Sequence, residues 1–171
     1  MTRQQVKQAN SEALALAIYE EMKSTGDFIS FIHDYMYDDD YQVVRNAFWC
    51  LTKANREELA QLQPLLNELI DLALAAVNPS VRRLSLSVIE RLELKEEELR
   101  TDFLDYCLDR MVSLDELPGT QSVCMKLAYR MCRFYPELQG ELIRILQSME
   151  MDYYKPAVIS VRRRILQGKL K

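Results

Sequence analysis

The stretch from Leu59 to Leu92, LAQLQPLLNELIDLALAAVNPSVRRLSLSVIERL, restricts the fold more than any other part of the chain. Leu62, Leu65, Leu66, Leu69, Ile70 and Ala73 recur at helical spacing, Asn78-Pro79 interrupts them, and Val81, Leu84, Val88, Ile89 and Leu92 resume the pattern. Two helices joined by a tight corner are expected, each with one apolar face that it cannot bury alone. The rest of the chain repeats this device. Among 171 residues, four Gly and five Pro leave too little turn material for a many-stranded β fold and suit long helices with short corners. The expected class is all-α, in one domain long enough to bury a core without staples.

In chain order, a first helix is expected from about Arg3 to Lys23, with Val6, Ala9, Ala13, Leu16 or Ala17, and Glu20 on successive turns and Gly26 as its stop. Asp27 is placed to cap a short helix reaching Tyr37. One aspartate of Asp38-Asp39-Asp40 is placed to cap the helix 41–54, and Asn55 to cap the helix 56–76, which contains Pro64. Helices over 79–94, 96–113, 120–135, 136–151 and 156–169 complete the chain. The Asp run beside His33 and Asp34 has metal-ligating residue types. Capping and the helix dipole explain it without an ion, so no metal and no cofactor are expected. Cys50, Cys107, Cys124 and Cys132 lie among apolar neighbours with no C-x-x-C spacing and read as buried thiols of a reducing compartment. A polar start and the absence of a long uncharged run give the expectation of a cytoplasmic protein with no membrane partner.

Four segments open in related ways: DDDYQVVRNA, VNPSVRRLSL, LPGTQSVCMK and YKPAVISVRR. Taking Val44, Val81, Val123 and Val158 as equivalent gives intervals of 37, 42 and 35 residues, a helical repeat with variable corners. With Pro64 in a first helix, an Asn78-Pro79 corner and Val81-Arg82 opening a second helix, the chain resembles the HEAT-repeat family of α-solenoids. Val44-Arg45 matches in part, while Val123-Cys124 and Val158-Ile159 depart from the pattern. The resemblance implies a right-handed α-α superhelix of about four helix pairs, with units near 26–54, 55–94, 95–135 and 136–169 and residues 1–25 as a capping helix. It also implies that first helices line the convex side and second helices the concave side.

Charge divides between these two sets. The second-helix segments 41–54, 79–94, 119–135 and 153–171 together carry +12, so the remainder of a chain of net charge −4 carries −16. Under the implied layering the concave face is basic, whatever the net charge suggests. On the third unit Val123, Leu127, Met131 and Phe134 form an apolar stripe that leaves Lys126, Arg130 and Arg133 as the wet one. The corresponding residues elsewhere are Arg45, Trp49 and Lys53, then Arg83 and Arg91, then Arg163 and Arg164. These ten form the candidate binding face. Arginines that follow Val in the resembled arrays also serve as structural pairs, which applies to Arg45 and Arg82, and Trp49 also reads as core.

One histidine, no Gly-rich phosphate loop and no identifiable nucleophile set point away from catalysis. The leading expectation is a non-catalytic scaffold that binds an acidic protein or peptide segment. The alternative is a nucleic-acid-backbone binder resembling the HEAT-like DNA glycosylases of alkylation repair. An apolar edge at Met149, Met151, Tyr153 and Tyr154 is a third surface, also explained as the end of the core.

Overall fold

A computed structural model describes residues 1–171 as helices and connecting turns. Thr2 and Gln5 form a reciprocal capping box that starts α1 (Arg3–Lys7). The expected first helix is not continuous. Ser11 adopts an extended conformation and its side chain accepts from the Leu14 amide, so a new helix, α2 (Glu12–Thr25), begins there. The break shifts the phase of the buried face. Val6 and Ala9 are buried, but they are followed by Ala15, Ile18, Tyr19 and Met22, leaving Ala13, Leu16 and Ala17 toward solvent. Gly26 ends α2 with φ 71°, a left-handed conformation that only glycine takes without strain.

Asp27 caps α3 (Phe28–Tyr35) through the Ser30 amide, and Asp40 caps α4 (Tyr41–Leu51) through the Gln42 amide. Asn55 and Glu58 make a second capping box at α5 (Arg56–Leu59). The expected 56–76 helix then tightens into a 3₁₀ segment, Ala60–Leu65, before continuing as α6 (Leu66–Ala75). Pro64 is the cause: it has no N–H for an α-helical bond, and its ring crowds the preceding turn. Asn78 caps α7 (Pro79–Glu90) through the Ser80 and Val81 amides, with Pro79 at the first position, as the corner motif implied.

The 96–113 helix also shortens. Glu96–Glu98 form one 3₁₀ turn, Leu99 and Arg100 are extended, and α8 spans Thr101–Arg110. Three adjacent glutamates repel in any helix, and Arg100 instead turns back to hold Asp102 through Nε at 3.1 Å and Nη2 at 2.7 Å. Next come α9 (Pro118–Cys132), α10 (Pro136–Ser148), a 3₁₀ turn Met151–Tyr153, and α11 (Pro156–Leu166). Of the expected apolar edge, Met149 is buried and the Tyr154 hydroxyl donates to the Val112 carbonyl at 2.8 Å, while Tyr153 is exposed.

The chain forms two compact units, Met1–Glu93 and Leu94–Lys171. In the first, α7 packs on both α6 and α4; in the second, α9 packs on both α8 and α11. Each unit therefore sets two second-of-pair helices side by side, backed by first helices, which is the layering of an α-solenoid. Val44, Val81, Val123 and Val158 are all buried, and so are the four free cysteines. Burial pushes the Cys50 thiol up to about 12 and the Cys132 thiol to about 11, so both stay protonated at neutral pH.

Candidate binding surface on the second helices

In the first unit, α4 keeps Val43, Val44, Ala47, Phe48 and Leu51 inward and turns Arg45 and Trp49 to the half-buried margin, where Lys53 joins them from just beyond its end. Both cations lie over the indole, each 5.5 Å from the ring centroid. Trp49 is thus neither wholly core nor an open platform. Its neighbours are themselves held: Arg45 Nη1 donates to Asn46 Oδ1 at 2.7 Å, and Lys53 Nζ pairs with Glu12 at 2.6 Å. On α7, Arg83 is half-buried. Arg91 donates Nη1 to the Thr52 and Ala54 carbonyls at 3.2 and 2.8 Å, so its guanidinium closes the C-terminal end of α4.

Arg82 makes the related contact one helix earlier, with Nη2 3.0 Å from the Ala76 carbonyl beyond α6. In the second unit Arg162 Nε donates to Leu146 O of α10 at 2.7 Å. Arg82 and Arg162 bind backbone carbonyls at first-helix ends, as Arg91 does at the end of a second helix. The C-terminal dipole and orphan acceptors explain the choice, since a cation there meets negative potential and unpaired oxygens together.

The second unit is plainer. Val123, Leu127 and Met131 are buried and Phe134 is half-buried, while Lys126 and Arg130 are half-buried and Arg133 is exposed with its guanidinium 5.6 Å from the Phe134 centroid. Beside α9, α11 presents Arg163 and Arg164 to solvent. Neither helix carries an Asp or Glu. Five of the ten expected residues, Lys126, Arg130, Arg133, Arg163 and Arg164, therefore sit on two adjacent helices that hold no acid of their own.

Asn46 was invisible as a site residue. It is 2% exposed, and its amide nitrogen donates to the Val6 and Lys7 carbonyls at 3.0 and 2.9 Å. A polar residue inside an otherwise apolar stripe was the only signal. The Asp run also finds its use here. Arg3 holds Asp38 through Nε at 2.6 Å and Nη2 at 2.8 Å, and Lys7 holds Asp40 at 2.8 Å. The guanidinium of Arg3, with the Asp40 amide, holds the Asp38 carboxyl down at about 2, and Lys7 draws Asp40 lower as well. His33 faces Glu68 at 3.6 Å and not the Asp run. No group of three or more His, Cys, Asp or Glu side chains that could hold a metal ion is assembled, and no helix is long and apolar enough to cross a membrane.

Paired helices in layers, capped by Asn and Asp and backed by carbonyl-binding arginines, define an α-solenoid repeat protein. The chain belongs to the HEAT-repeat family: the family model for a HEAT repeat domain matches residues 2–169. HEAT repeats typically mediate protein interactions and are generally non-catalytic scaffolds. No curated protein and no solved structure matches the chain.

Proposed function

We propose that this chain is a non-catalytic scaffold that holds an acidic protein segment against the second-helix layer of its C-terminal unit. The observation that supports this reading is the α9–α11 pair: the two helices pack on each other, carry Lys126, Arg130, Arg133, Arg163 and Arg164 on them or at their ends, and hold no acid of their own. Arg133, Arg163 and Arg164 are exposed, and cations on adjacent helices attract an extended anion at long range. In the first unit Arg91 is bound to carbonyls, Lys53 to Glu12, and Arg45 to Asn46 and Trp49, so that unit contributes Arg83 before any rearrangement. A nucleic acid is the alternative ligand. The two cations already lying against the Trp49 ring oppose base stacking there, which favours the protein reading.

The test is fluorescence anisotropy with a labelled Glu-rich peptide and, in parallel, a labelled DNA duplex, at low and moderate salt. The peptide is expected to bind more tightly at low salt and to be lost in the Lys126→Glu/Arg133→Glu variant with helicity unchanged. Equal peptide binding by that variant refutes the site. Tighter binding of the duplex, falling steeply with salt, replaces the protein ligand with nucleic acid.

A further inference from the structure

A second surface, of opposite charge, lies in the N-terminal unit. A cleft of about 400 Å³ opens between the corner after α3 and the corner joining α6 to α7. Its floor is apolar: Met36, Val44 and Val81 are buried and Leu72 is half-buried. Asp39, Glu68 and Asp71 stand around it; Glu68 already accepts from Tyr37 and faces His33, the Arg82 guanidinium reaches the carbonyl of Ala76 in the lining, and Asp39 is fully exposed. Tyr37 and Tyr41 flank the opening and are 65% and 53% exposed, unusual for rings with a floor beside them to cover. The Tyr37 hydroxyl donates to Glu68 at 2.8 Å, which fixes one wall and leaves the ring face open.

We propose that this cleft captures a lysine or arginine side chain, with an adjacent apolar residue, from an extended basic segment of a partner protein. The chemistry selects the occupant. A long aliphatic stem covers the floor while its cationic head stays at the rim, where a carboxylate and a tyrosine face both attract it. An acidic or neutral segment would satisfy the floor and leave the rim repelled or unpaired. The Asp39 side chain is fully exposed, and its one cation, Arg3, stands 3.9 Å away while bonding mainly to Asp38. The cleft is independent of the α9–α11 surface, so one scaffold offers an acid-binding and a base-binding face on different units.

The probe is a fluorescein-labelled Gly-Leu-Arg-Leu-Arg-Gly peptide titrated with the full chain. Binding that weakens with salt is expected, with none for the same peptide carrying Glu in place of Arg. Ala75→Trp fills the cleft from an exposed position, and Asp39→Lys reverses the exposed charge at the rim. Each is expected to lower affinity at least about tenfold while the thermal melt stays in place, because like charge across an interface is strongly disfavoured. The Lys126→Glu/Arg133→Glu variant is expected to bind this peptide as the parent does, which separates this inference from the proposal for the basic face. Absence of binding by the parent, or equal binding by both cleft variants, overturns it. Concentration-dependent self-association that Ala75→Trp abolishes also overturns it, by assigning the cleft to a second copy of the chain.

Discussion

Replacing Asn46 with alanine should raise the population in which α1 is undocked from the N-terminal unit, with the Arg3–Asp38 and Lys7–Asp40 pairs still in place and the remaining helices folded. The Asn46 amide supplies two hydrogen bonds to the last carbonyls of α1, one of them fully buried. Removing a partner from a buried acceptor costs about 1–3 kcal/mol. Against this stands what α1 gains by docking. Val6 and Ala9 are wholly buried, and burying a valine contributes about 1.5–3 kcal/mol. The two quantities are of the same size, and a helix of five residues has no stability of its own. Undocking therefore relieves the unpaired carbonyls at nearly the cost of leaving them, so the loss of global stability is limited to about 2 kcal/mol. A shift of about 2 kcal/mol raises the open population roughly thirtyfold. Hydrogen exchange reads this directly at the Val6, Gln8 and Ala9 amides, which bond to Thr2, Gln4 and Val6 carbonyls. They should exchange roughly thirtyfold faster, while α7 amides change only with global stability. Unchanged exchange at these three amides, or equal loss of protection in α4, refutes the reasoning.

Two further outcomes follow from the same contacts. The folded Asp38 carboxyl lies at about 2 against an ordinary 3.8, so its pairing with Arg3 stabilises the fold fully above about 4 and is lost as pH falls through about 2. Proteolysis within residues 1–12 by an acid-active protease should rise across that window, and Asp38→Asn should reduce the pH dependence to the part carried by the Lys7–Asp40 pair; a parent profile that stays flat would contradict the pairing. Arg91→Ala leaves the Thr52 and Ala54 carbonyls at the end of α4 without their cation and should cost about 1–2 kcal/mol in urea unfolding. An effect within error would mean water replaces the guanidinium.

Much of the architecture was legible because its signals are local. Asp27, Asp40, Asn55 and Asn78 each cap the helix that follows them, since a side-chain acceptor two or three residues from an orphan amide needs nothing distant. The α7 stripe is buried as expected, and so is that of α9 as far as Met131, while Phe134 is half-buried. The errors fell where a short polar break resets a periodic pattern. Val6 and Ala9 are buried, but extending their period across Asn10-Ser11 to Ala13, Leu16 or Ala17, and Glu20 follows a face that the structure leaves exposed. Pro64 was visible, but whether it kinks a helix or tightens it depends on how Leu62, Leu65 and Leu66 pack.

The sequence by itself determined that alternate helices stack in pairs and that their charges separate, because apolar period and residue type are properties of the chain. Only the tertiary structure decided which cations remain available. Arg82, Arg91 and Arg162 bind carbonyls of other helices, whereas Arg163 and Arg164, beside Arg162 in the chain, face solvent. The acid-rimmed cleft, too, comes from corners about thirty residues apart in sequence, at 36–41 and 71–78. The physical reason is common to both: a local pattern sets which way a side chain points, but its partner is fixed by packing between segments that only folding brings near.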